Sequence, residues 1–64
     1  MKQRYLVTYW LSGESQPRDI RLELFDVIEP NVPLALKNVI ADRESYGFRR
    51  FTEDEVIIIN FWKI

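Results

Sequence analysis

The stretch whose residue types most directly suggest chemistry is Phe48-Arg49-Arg50-Phe51. Arginine set between aromatics grips phosphates and stacks bases, which makes these four residues the candidate nucleic-acid contact. The competing reading is a loop whose phenylalanines dock on the core while its arginines stay in water near Glu53 to Glu55, and a motif of one tetrapeptide favours that reading. The acidic set Glu44, Glu53, Asp54 and Glu55 could instead imitate phosphate toward a basic partner, against the plainer reading of a solvated helix end and loop.

Covalent chemistry has less to stand on. Ser12, Ser15 and Ser45 fall in turn-like or helix-end settings without a basic neighbour, and the chain has no His and no Cys. No nucleophile therefore has a base to activate it. Neither Gly13 nor Gly47 belongs to a glycine-rich phosphate loop, which needs a neighbouring Gly and usually a Lys followed by Ser or Thr. The same absences rule out disulfides and thiolate or imidazole metal ligands. Carboxylate-only Ca²⁺ or Mg²⁺ binding stays open, although no stretch alternates Asp or Glu around a Gly as a calcium loop does. The expectation is a protein that is not an enzyme and carries no cofactor.

The positions available to hold a site are few. A chain of 64 residues makes one domain, spanning 1–64, and at that size buries only about 60% of the surface its unfolded form exposes. With disulfides and soft metal sites gone, self-association or partner binding is the expected source of added stability. Hydrophobic residues at 47% and aromatics at 14% place the chain among folding sequences. Nine basic against ten acidic residues give a net charge of -1, which offers no support for nucleic acid, whose binding domains gather a basic excess on one face. No run is long and apolar enough to span a bilayer, and Met1-Lys2-Gln3-Arg4 leads into a strand-like pattern instead of a leader. A cytoplasmic protein is expected.

Arg4 to Leu11 is aromatic, β-branched and apolar at nearly every position, which predicts a central strand covered on both faces. Ser12 to Pro17 is the densest cluster of turn formers and predicts a hairpin loop. From Asp19, the alternation of Ile20, Leu22 and Leu24 with Arg21 and Glu23 predicts an edge strand with one wet face. Leu36, Val39, Ile40 and Arg43, widened by Val32 and Ala35, follow helical spacing over about Pro33 to Tyr46. Asn31 is the expected N-cap and Gly47 the C-terminal cap. Val56 to Ile64 is the last strand. The fold class is α+β, in the order ββαβ, with a three-stranded antiparallel sheet of strand order 2-1-3 and one helix packed on one face.

One helix covers one face. The inner set is expected to be Tyr5, Val7 and Tyr9, Ile20, Leu22 and Leu24, with Ile57, Ile59 and Phe61. The outer face then holds Leu6, Thr8 and Trp10, Arg21, Glu23 and Phe25, and Val56, Ile58, Asn60, Trp62 and Ile64. So much apolar surface exceeds what monomers usually leave wet. This face, or the edge of the last strand, is therefore the expected interface, with Trp10, Trp62, Phe25, Arg21 and Ile58 as its contacts and Glu53, Asp54 and Glu55 as a charged rim. A homodimer that pairs these surfaces is an alternative, as is nucleic-acid binding through Phe48 to Phe51. A connector folded under the sheet and burying Trp10 and Trp62 is the interface-free alternative.

The opening Met1-Lys2-Gln3-Arg4-Tyr5-Leu6-Val7-Thr8-Tyr9 and the ending Asp54-Glu55-Val56-Ile57-Ile58-Ile59-Asn60-Phe61-Trp62-Lys63-Ile64 resemble the ends of short bacteriophage-encoded accessory proteins. The ββαβ order is similar to that of small phage inhibitors of host RNA polymerase and of some anti-CRISPR proteins. The resemblance covers the terminal strands, and no residue of the middle of the chain matches a motif. It implies a cofactor-free protein, at work in the bacterial host cytoplasm, that inhibits a defence system or the transcription machinery by occupying a surface of a host protein complex.

Overall fold

A computed structural model describes residues 1–64. Strand β1 (Lys2–Leu11) lies in the middle of a three-stranded sheet, with β2 (Arg18–Phe25) on one side and β3 (Val56–Lys63) on the other, both antiparallel to it. The helix α1 (Val32–Glu44) packs on one face, and short 3₁₀ turns at Glu29–Asn31 and Glu53–Glu55 flank it in the chain. The apolar character of β1 on both sides has the predicted consequence. Tyr5, Val7, Tyr9 and Leu11 are buried under the helix, while Leu6, Thr8 and Trp10 on the other face are half-covered.

The core closes around β1. Leu22 and Leu24 from β2, Val56 from β3, and Val32, Leu36, Ile40 and Ala41 from α1 complete it, with Val7, Leu36 and Ile40 fully enclosed. Tyr5 meets Phe61 edge to face, with ring centroids 6.0 Å apart, an arrangement that suits the aromatic quadrupole. No buried side-chain polar atom lacks a partner.

The connections use local chemistry. The Leu11–Glu14 turn is closed by a 3.0 Å bond from the Glu14 N–H to the Leu11 carbonyl, with Gly13 at φ 89° in the third position, where a type II turn demands a left-handed residue. Where the chain leaves β2, the Gln3 amide bridges Val27, accepting from its N–H and donating to its carbonyl at 3.0 Å each. That pair steers the backbone toward the helix.

Three sequence expectations need correction. Asn31 occupies the helix N-cap position, but its side chain makes no capping bond; it sits in helical backbone, closing the preceding turn with an N–H to the Ile28 carbonyl at 2.9 Å. The helix ends at Glu44 and Gly47 does not cap it. Ser45 stops it instead, in extended backbone, with its hydroxyl donating to the Ala41 carbonyl (2.8 Å) and accepting the Phe51 N–H (2.9 Å). Gly47, at φ 49°, serves the next turn, a tight Tyr46–Arg49 hairpin closed by two 2.8 Å backbone bonds.

The third correction concerns β3. Thr8 pairs with Asn60 but Tyr9 pairs with Ile58, so Ile59 is one extra residue opposite the β1 ladder. Such a bulge shifts the alternation by one. Val56 and Ile58 therefore turn inward, Val56 buried and Ile58 packed against the core, whereas Ile57 and Ile59 are exposed. Beyond the bulge Phe61 faces inward and Trp62 outward, as the simple alternation has them.

Candidate interaction surface

No element covers the sheet face opposite α1. Its residues follow from the pairing: Leu6 lies between Arg21 and Trp62, Thr8 between Asp19 and Asn60, and Trp10 beside Ile57. The face divides lengthwise. Along β1 and β3 it is apolar, with Trp62 48% and Ile57 55% exposed, and Phe25 on the far strand is 66% exposed. Along β1 and β2 it is charged: Glu23 takes Arg4 at 3.1 Å and Lys2 at 3.4 Å, and the Thr8 hydroxyl donates to Asp19 at 2.7 Å.

The structure thus places four of the five proposed contacts on this face, Trp10, Trp62, Phe25 and Arg21. Trp10 is the least free, since its indole N–H donates to the Glu14 carbonyl at 2.8 Å and the ring is half-buried. Arg21 is exposed and has no carboxylate within ion-pair distance. Ile58 is the exception, because the bulge turns it under the helix. Ile57 takes its place on the open face.

The expected charged rim lies elsewhere. Glu53, Asp54 and Glu55 form a 3₁₀ turn packed beside α1, in the helix layer. The Glu55 carboxylate accepts the Thr52 N–H at 3.0 Å and the Arg49 guanidinium at 3.1 Å. The Thr52 hydrogen bond first, and then the Arg49 charge, hold its pKa below the ordinary carboxylate value.

The same ion pair explains the arginine-aromatic stretch. Arg49 stacks 4.1 Å above the Phe51 ring while bonding Glu55, and Phe51 packs against the core. Phe48 sits fully exposed at the hairpin tip, and Arg50 lines a shallow recess with Asp42, Glu53 and Asp54. The two aromatics and two arginines do not share one surface. The connector stays on the helix side, and neither tryptophan is buried by it.

One cluster went unread in the sequence. Tyr9, from the core side of β1, donates its hydroxyl to Glu44 at the helix end, and Arg18 bonds both Glu44 carboxylate oxygens at 3.0 and 3.1 Å and also Glu14. Glu14, Arg18 and Glu44 line a cleft of about 380 Å³ between the two hairpins. Burial first, and then the Glu44 carboxylate, push the Tyr9 hydroxyl up to about 12. It stays a neutral phenol at neutral pH, a tie between sheet and helix end and not a base. The partners are 35 and 26 residues apart in sequence, and Glu14 and Arg18, four apart, lie across a hairpin loop, where that spacing signals no contact.

No group of three or more Asp or Glu stands close enough together to hold a metal ion. No helix is long and apolar enough to cross a membrane.

Comparison with family models, curated proteins and solved structures found no match. The surface must be read on its own chemistry.

Proposed function

We propose that this protein is a non-enzymatic binding module that presses the open face of its sheet against a protein partner. The observation that supports the reading is that face itself, where Trp62, Ile57 and Phe25 stand half or more exposed beside Trp10 and the unpaired Arg21. Trp and Arg are the residue types that dominate binding hot spots. Covering a half-exposed large side chain contributes about 1 kcal/mol or more, so three of them offset a meaningful part of the entropy of association. The terminal-strand resemblance supplies the partner class. The partner is a bacterial protein complex, a defence system or the transcription machinery, which the bound module inhibits in the host cytoplasm.

The test is affinity capture from nuclease-treated bacterial lysate with the tagged protein and with a Trp62→Arg variant as control. The captured complex is then purified and its activity assayed with and without added protein. A complex retained only by the unmutated chain, and slowed by it at stoichiometric amounts, is the expected result. Retention by both forms would reject the face, and a retained complex of unchanged activity would reject inhibition. Light scattering that shows twice 7.7 kDa, reverting to the monomer in the Trp62→Arg variant, would assign the face to a second copy instead.

A further inference from the structure

The two edges of the sheet are not equivalent. On β3 the bulge at Ile59 breaks the free edge in its middle, a common device against unwanted strand pairing. The free edge of β2 has no such break, because its register with β1 runs without a shift from Arg18 to Phe25. The phase of that ladder is fixed at one end, where the Asp26 N–H donates to the Met1 carbonyl at 3.0 Å. Antiparallel pairs alternate between bonded and unbonded, so Leu24, Leu22 and Ile20 bond to β1. The backbone groups of Asp19, Arg21, Glu23 and Phe25 then point outward, and no strand pairs with them.

Beside this edge lies a recess of about 440 Å³, lined by Arg21, Leu22, Glu23 and Phe25 of β2 and by Val39 and Arg43 of α1, and reaching Arg4 of β1 and Ile64 at the chain end. Its floor is apolar through Leu22 and Val39. Its free charge is positive. Glu23 is already shared by Lys2 and Arg4, whereas neither Arg21 nor Arg43 has a carboxylate within ion-pair distance. The helical periodicity had put Arg43 in line with Leu36, Val39 and Ile40, and in the fold that position borders the open edge.

We propose that this edge accepts an extended acidic segment of a partner protein as a fourth strand. Main-chain bonds to the outward groups of Asp19, Arg21, Glu23 and Phe25 supply the affinity, and carboxylates meeting Arg21 and Arg43 supply the choice of sequence. A second copy of this chain fits less well. Pairing β2 with itself about Leu22 carries Arg43 and its symmetry mate toward each other, and like charges brought together act against that partner. The proposal goes beyond binding through the open face: it shares Arg21 and Phe25 with that face, but its main-chain contacts come from the strand edge and do not need Trp62 or Ile57.

The probe is a capped synthetic peptide roughly ten residues long that alternates Glu with Val, with a Lys-Val peptide as its counterpart. Each is titrated into the ¹⁵N-labelled full chain. The expected result is amide shifts centred on Asp19, Arg21, Glu23 and Phe25, with slowed hydrogen exchange at those four positions. An Arg21→Glu/Arg43→Glu variant, shown folded by its amide dispersion, should bind the Glu-Val peptide about tenfold more weakly or worse and accept the Lys-Val peptide in its place. A Trp62→Ala variant should bind as the unmutated chain does, which separates this result from the fate of the open-face reading. The proposal is overturned by shifts confined to Ile57 and Trp62, by equal affinity for both peptides, or by no shift at roughly millimolar peptide. Protection of the four amides in a peptide-free dimer overturns it too, since the occupant is then a second copy.

Discussion

The bulge in β3 assigns opposite fates to neighbouring isoleucines, and truncating them one at a time tests it. Ile58 packs half-buried against the core whereas Ile57 is 55% exposed on the open face. Replacing a fully buried Ile by Ala costs about 2–5 kcal/mol, so the partial burial of Ile58 scales Ile58→Ala to about 1–2.5 kcal/mol. Ile57→Ala should cost about 0.5 kcal/mol, the ordinary range for a surface position. With a urea m-value of about 1 kcal/mol/M for a domain this small, the Ile58 change lowers the unfolding midpoint by about 1–2.5 M and the Ile57 change by about 0.5 M or less. Urea titrations followed by far-UV circular dichroism read both. Removing Ile59 altogether adds a stricter check, because the remaining residues then alternate without a break and the domain should still fold. A larger loss for Ile57→Ala than for Ile58→Ala, or unfolding on deletion of Ile59, would refute the register.

Two other outcomes follow from local chemistry. The Tyr9 hydroxyl has its pKa raised from 10.0 to about 12, so between those values the unfolded chain loses a proton that the folded chain keeps. The stabilisation is complete below pH 10 and falls away as pH rises toward 12. Two pKa units correspond to about 2.7 kcal/mol at most, and the rim position of the hydroxyl reduces this to about 1–2 kcal/mol. The ultraviolet difference titration between the unmutated chain and Tyr9→Phe isolates this ionisation, and a midpoint near 10 would contradict the burial argument. Gly47→Ala should cost about 1 kcal/mol through its left-handed backbone alone, since a Cβ there meets no atom within 4 Å. Thermal unfolding of Gly47→Ala beside Phe48→Ser, which changes only an exposed tip, checks it.

Most of the architecture was legible because each element carries its own period. The apolar run of β1, the strict alternation of Ile20, Leu22 and Leu24, and the helical spacing of Leu36, Val39 and Ile40 each specify an element and its buried side. A 2-1-3 sheet is the compact way to join them. Alternation failed only from Val56 to Ile59. Three identical side chains hold no record of which of them faces inward, and a bulge is a property of the pairing with β1 and not of β3 alone. The helix C-terminus was misplaced for a similar reason: Ser45 competes with Gly47 only because the Phe51 N–H returns to meet its hydroxyl.

The candidate surface divides the same way. From the sequence alone come the size, the charge balance, the absence of His and Cys, and a sheet with more apolar residues than one helix can cover, because these depend on composition and short-range periodicity. Long-range geometry decided the rest. It spent Arg49 on Glu55 and Phe51, drew the acidic trio into the helix layer, tied Tyr9 to Glu44 and Arg18, and left Arg21 and Arg43 beside an unpaired edge. Ion pairs and free backbone groups are set by distances between residues far apart in the chain, and no local pattern encodes those distances.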